Sequence, residues 1–257
     1  MKKSRLCSFV TLLVLLFIYF PIIILIVNSF NMSRFGGVWA GFSFKWYAKL
    51  FQERELWESV KNSLIVAITS TAASTVLGTT AAFALYRYKT PIQKMHYSLI
   101  YTPLIIPDIL IGISLLLLFF ILNIKLGLLT ISIAHTTFCV SYVTMVVLSK
   151  LQNFDYSVVE AGLDLGANKL SVFRRIVLPL MAPGLYAAAL LAFTLSIDDF
   201  VITFFVAGEG SSTLPIYVYS MIKYGSTPVI NALSTLILVV TFITIWLMRK
   251  QSKDVAL

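Results

Sequence analysis

The sequence predicts an all-α membrane protein with six transmembrane helices and both termini in the cytoplasm, and three observations carry that expectation. Of 257 residues, 59% are apolar, against roughly 45–50% in an ordinary soluble domain. Charged residues make up 12% and the mean hydropathy is +0.91, where a soluble domain carries about 25% charge. The apolar residues also gather into runs of about twenty, the length a helix needs to cross roughly 30 Å of hydrocarbon while its backbone groups satisfy one another. Soluble, disordered and fibrous classes are thereby excluded.

The runs are Cys7–Val27, Leu64–Leu85, Ser98–Leu122, Leu128–Leu148, Leu185–Ala207 and Val229–Met248. The first follows Lys2, Lys3 and Arg5 but is longer than a signal-peptide core of roughly 7–15 residues and is followed by no A-x-A site, so it reads as a retained anchor. Basic residues set the orientation. With the N-terminus inside, thirteen of the twenty Lys and Arg fall in cytoplasmic segments. Five of the seven outer ones, Arg34, Lys45, Lys49, Arg54 and Lys61, share one long segment with Glu53, Glu55 and Glu58. The net charge of +9 thus belongs to loops between apolar runs, and no nucleic-acid partner is expected.

Cys7 and Cys139 lie in apolar runs, and His96 and His135 stand outside any HxxxH spacing. No metal site or disulfide framework is expected, and both histidines read as structural or interfacial residues. The outer segment near 28–63 places Trp46, Tyr47, Leu50, Phe51 and Trp57 at helical spacing, as in an interfacial amphipathic helix or a docking surface for an outer partner. A second outer segment, 208–228, is the other expected docking surface. The second span, with Ala67, Ser70, Ser74 and Gly78, and the fifth, with Ala187, Ala188, Ala189 and Ala192, carry the small residues that allow close packing in lipid and are the expected bundle core.

Between the fourth and fifth spans, the loop from Lys150 to Gly184 is no plain tether. Gly166 sits where one short helix can end and another begin, because glycine accepts a left-handed turn. Leu170, Phe173 and Val177 then share a face of the second helix, away from Arg174 and Arg175, and Pro179 can end it. An apolar ridge under the membrane suits a protein partner as well as it suits the chain's own bundle.

Three acids fall inside the spans: Asp108 near mid-bilayer and Asp198 and Asp199 toward the outer face. Each costs roughly 2.5–3.5 kcal/mol on insertion scales at a helix centre and is a functional candidate by default. No Lys or Arg lies within the spans to pair them. Pro103 and Pro107 suggest a kink before Asp108. Adjacent helical positions point about 100° apart, so only one of Asp198 and Asp199 faces a path squarely.

Glu160-Ala161-Gly162, then Gly166 after three residues, then Ile176-x-Leu178-Pro179 after nine more, resembles the EAA loop of the permease subunits of ABC importers. Gly162 stands where the third motif alanine is usual. The likeness extends to the six-span layout, the basic N-terminus and the outer Trp46-Tyr47 segment, and in detail the chain resembles permeases of the spermidine/putrescine type.

That resemblance implies a type I importer fold over the single domain 1–257, and a coupling helix built from Glu160, Ala161, Gly166, Leu170, Phe173, Ile176, Leu178 and Pro179. The implied partners are a pair of ATPase subunits, a second, PotB-like permease and a periplasmic polyamine-binding protein. ATP and Mg would be held by the ATPase. This chain contains no G-x-x-x-x-G-K-[ST] phosphate loop, so no cofactor is expected on it. Asp108, Asp198 and Asp199, with Tyr101, Phe200 and Phe204, suit a chain of ammonium groups joined by methylenes, through charge attraction and cation–π contact. That chemistry does not choose among organic cations.

Two other classes compete. An intramembrane aspartyl protease would pair Asp108 with Asp199, but the YD and GxGD contexts are absent. A secondary transporter would use the acids for proton coupling, but it leaves the cytoplasmic loop unexplained and no inverted repeat is visible.

Overall fold

A computed structural model describes residues 5–34, 38–88, 91–224 and 228–254. Lys2, Lys3 and Lys89 of the orientation argument lie outside the described residues, as do 35–37 and 225–227 of the two expected docking segments and the side chains of Arg249, Lys250 and Lys253. The described chain is helical, with an isolated bridge between Asn31 and Phe42. It divides into two compact units, residues 1–57 with 217–257, and residues 58–216.

In the first unit, α1 (Arg5–Ser29) and α2 (Lys45–Gln52) both pack on a helix, Val229–Asp254, that closes the chain. The described side chains of α1 from Cys7 to Pro21 are all exposed, as a lipid-facing helix requires. The connection to α2 is built around Asn31, whose amide donates to the Val38 carbonyl at 2.9 Å and whose side-chain oxygen accepts from Ala40 N at 2.9 Å. Trp46 Nε1 donates to the Asn31 carbonyl at 2.7 Å. The expected amphipathic helix is present, yet its apolar face is narrower than its spacing implies. Trp46 and Leu50 are buried, whereas Phe51 and Trp57 stack outward on each other at 5.8 Å.

The second unit holds most of α3 (Arg54–Arg87), then α4 (Gln93–Ile105), α5 (Asp108–Ile121), α6 (Leu128–Gln152), α7 (Ser157–Asp164), α8 (Lys169–Val172), α9 (Leu178–Asp198) and α10 (Val201–Val206). Leu214–Lys223 forms α11, and the closing helix is α12. Four stretches are long and apolar enough to cross a membrane: Cys7–Ser29, Arg54–Arg87, Leu128–Gln152 and Lys169–Asp198.

The expected third span is not one rod. Residues that precede proline avoid the α region, and Ile106, before Pro107, is extended at φ −71°, ψ 133°, so α4 and α5 meet at 109°. Taken as one broken span, that pair makes a fifth crossing. The expected fifth span also shifts. Its helix begins well before Leu185 and stops at Asp198, and α10 is a separate short piece.

The centre of the second unit is α6 rather than the two alanine-rich helices. Over half of its apolar window, 56%, is buried, against 28% for α3 and 22% for the helix containing α9. It is packed from both sides. A Cβ on Gly78 of α3 would stand 2.7 Å from Val143 Cβ, so only glycine lets those backbones approach so closely. On the other side, Cys139 reaches the Ala192 carbonyl of α9. The small residues of α3 and α9 are therefore the surfaces that receive α6.

Candidate functional site

The loop after α6 folds into a helical hairpin. Asp155 accepts from Ser157 N at 3.0 Å and so starts α7; hydrogen bonds from Ser157 hold its carboxyl below the usual carboxylate range. At the other end, Gly166 takes φ +81°. Ala167 N donates to the Gly162 carbonyl at 3.2 Å and Gly166 N to the Leu163 carbonyl at 2.9 Å, the paired bonds of a Schellman stop. Asn168 Oδ1 then accepts from Ser171 N at 2.8 Å and caps α8.

The departure at Gly162 has a local reason. Gly162 is buried, and a Cβ on it would meet Ile176 Cδ1 at 2.8 Å and Val172 Cγ2 at 3.4 Å. The two arms of the hairpin close on each other at that point.

Pro179 does not end the second arm. A π-helical turn, Phe173–Val177, joins α8 to α9, and Leu178 N bonds back five residues to Phe173 O. The extra residue in that turn lets the helix run on through a proline that cannot donate to the ladder. It also separates the expected ridge: Val177 turns inward at 9% exposure, while Leu170 at 57% and Phe173 at 41% stay out. Glu160, Ala161, Leu178 and Pro179 are exposed and Ile176 is half-buried. Leu165, not singled out from sequence, is 88% exposed beside the Gly166 turn.

The acids occupy helix breaks. Asp108 is exposed and opens α5 directly after the bend. Asp198 is the last residue of α9 and is exposed, whereas Asp199 leaves the helix at φ −67°, ψ 124° and turns inward. The 100° argument therefore does not apply, because the helix stops between the two residues. Asp199 accepts from Thr203 N at 2.8 Å, Thr203 Oγ1 at 2.7 Å and Ile202 N at 3.3 Å, so it caps α10. His135 Nε2 stands 3.2 Å from Asp199 Oδ2.

The sequence offered no cation for these acids, and the structure supplies Asp199 with an imidazole and a helix N-terminus from its own chain. The sequence reads His135 as a structural or interfacial residue; the signal it did not use is that an ionisable group at bilayer depth is itself a functional candidate. Among the described residues, the carboxylates of Asp198 and Asp108 have no hydrogen-bond or ion-pair partner.

The two breaks lie in one packing region. α10 packs on α5, and a Cβ on Gly112 would come 2.8 Å from Phe205 Cδ2. Phe200 and Phe204 pair at 5.5 Å, with Phe204 exposed, and Tyr101 pairs with Tyr97 at 4.9 Å one turn before the α4 bend. Non-helical backbone at membrane depth persists where it is buried in protein or lines a cavity, and broken helices recur where transporters hold solutes.

Apolar crossing helices, two of them interrupted at carboxylates, together with an exposed helical hairpin, define a polytopic membrane protein of the transport class. The chain belongs to the family of inner membrane components of binding-protein-dependent transport systems, whose pattern matches residues 74–256. It is a multi-pass protein of the inner membrane.

The chain is 42% identical over 229 residues to the spermidine/putrescine transport system permease protein PotC of Escherichia coli K12, covering 89% of this chain and 87% of that one. It is 43% identical over 249 residues to the putrescine transport system permease protein PotI of the same strain, covering 93% and 89%. Among solved structures, a chain of a bacterial ABC transporter that imports the acidic polysaccharide alginate superposes with a TM-score of 0.74 at 17% identity, over 97% of this chain and 98% of that chain. The fold is that of an ABC importer membrane subunit.

Proposed function

We propose that the chain is the permease subunit of an ATP-driven importer of polyamines, forming half of the translocation path. The observation that carries this reading is identity above 40% over most of the chain to two polyamine permeases. The chemistry supports it independently: Asp108 and Asp198 are unpaired carboxylates for ammonium groups, and Tyr101, Phe200 and Phe204 offer faces for cation–π contact and for the methylenes between charges.

In this reading the whole chain, 1–257, works as one permease domain with six spans and cytoplasmic termini. The hairpin of Glu160, Ala161, Gly166, Leu170, Phe173, Ile176, Leu178 and Pro179 docks a separate ATPase subunit that binds ATP and Mg. A second, PotB-like permease completes the path, and a periplasmic polyamine-binding protein docks on the outer segments. The basic residues concentrated at the hairpin end support that orientation.

The test is complementation. In cells stripped of polyamine uptake, the chain supplied with its partner subunits restores accumulation of radiolabelled spermidine or putrescine. Accumulation of a different organic cation or small solute in place of both would replace the substrate and leave the permease assignment.

A further inference from the structure

The imidazole of His135, 1% exposed, joins four helices through side chains. Nδ1 lies 2.7 Å from Ser196 Oγ on α9, and Ser196 Oγ lies 2.9 Å from Ser70 Oγ on α3. Nε2 lies 2.8 Å from Thr203 Oγ1 on α10 and 3.2 Å from Asp199 Oδ2 at the break. His135 itself sits on α6, the buried centre of the unit.

Counting protons fixes the direction at Nε2. The Thr203 hydroxyl donates to Asp199 Oδ2 at 2.7 Å, so Thr203 Oγ1 can only accept from His135, and Nε2 carries a hydrogen. His135 Nε2 and Thr203 Oγ1 both point their hydrogens toward the Asp199 carboxylate, which already receives Ile202 N and Thr203 N. A carboxylate gripped by this many buried donors is held in place.

We propose that His135 is a positioning residue for cation passage: it pins the Asp199 carboxylate against the start of α10 and thereby leaves Asp198 as the carboxylate presented to the solute. The two neighbouring acids then do different work. Asp199 shapes the break, and Asp198 meets the ammonium group. This rests on the reading of the chain as a cation permease. Release of Asp199 would loosen the break and move Asp198, the residue before it, with it.

Two measurements on the assembled importer in vesicles test the assignment. The first is the KM and kcat of spermidine uptake for His135→Ala, His135→Gln, Asp199→Asn and the His135→Ala/Asp199→Asn double variant, at matched amounts of assembled complex. His135→Ala is expected to raise KM about tenfold, and His135→Gln, whose amide can still donate to Asp199, to stay within about threefold of wild type. The double variant is expected to match Asp199→Asn alone, since His135 acts through Asp199. A lower yield of complex with unchanged KM, or additive losses in the double variant, would overturn the proposal.

The second measurement needs no substrate. The rate at which a cationic methanethiosulfonate modifies Asp198→Cys is expected to change severalfold when His135→Ala is added. An unchanged rate overturns the role of His135. Absence of polyamine uptake by wild type overturns the substrate reading instead, and the thiol rate still decides the positioning.

Discussion

Gly208 lies so close to Leu126 that a Cβ on it would stand 2.0 Å from the Leu126 carbonyl oxygen and 3.0 Å from Gly127 N. The contact locks the segment after α10 to the turn between α5 and α6, beside a 2.8 Å bond from Thr130 Oγ1 to the Val206 carbonyl. Both obstructing groups are backbone, so no side-chain rotation relieves the clash. Gly208→Ala is therefore expected to destabilise the protein by about 1–3 kcal/mol, the usual range for overpacking. Thermal unfolding of the purified protein in detergent checks this, and an alanine variant that melts like wild type would show that the turn can yield.

At Gly166 the constraint is conformational rather than steric, since no atom lies within 4 Å of a Cβ there but φ is +81°. A left-handed residue with a Cβ costs about 1–2 kcal/mol, and asparagine costs less than alanine. Capture of the ATPase subunit by Gly166→Ala is expected to fall about fivefold or more, with Gly166→Asn between it and wild type. Equal capture by all three would remove the Schellman turn from the coupling account.

Gly162 gives the contrasting expectation. Its nearest obstruction is Ile176 Cδ1, the far end of a flexible side chain, and alanine improves helix propensity by up to about 1 kcal/mol. Gly162→Ala is expected to change stability and ATPase capture little, while Gly162→Leu forces the hairpin arms apart and abolishes capture. A severe defect in the alanine variant would mean that the arms cannot adjust.

The hairpin's pH response follows from Asp155, whose carboxyl is held low by hydrogen bonds from Ser157. A carboxylate depressed in the folded state contributes stability that is present above its unfolded value of about 3.9 and is lost as pH falls through the lower folded value. Binding of the ATPase subunit is therefore expected to be insensitive to this group between about pH 6 and 8. Asp155→Asn, scored by that binding, is expected to alter the profile only on its acid side. A shift near neutrality in the variant would assign the effect elsewhere.

The hairpin was legible because its signals are local. Gly166 and the apolar residues that follow it dictate a stop and a face without help from the rest of the chain, whereas the Asn168 cap was not singled out. The spans were legible as lengths of apolar residues, but not as rods. Pro107 announced a kink, but local sequence does not set its angle of 109°. Nothing near Asp199 in sequence announced the break, because its partner, His135, lies sixty-four residues away on another helix. The π turn before Pro179 and the inward rotation of Val177 escaped for a similar reason: a regular 3.6-residue period was projected through a segment that inserts one residue.

In the proposed function this chain conducts polyamine past carboxylates at its helix breaks. The most direct measurement is ATP-dependent uptake of radiolabelled spermidine and putrescine by vesicles holding the full set of subunits, comparing wild type with Asp108→Asn and Asp198→Asn. Wild-type uptake is expected to require ATP, with KM raised about tenfold or more, roughly 1.4 kcal/mol, in each assembled variant. Absence of polyamine uptake in wild type, or wild-type kinetics in both variants, would contradict it.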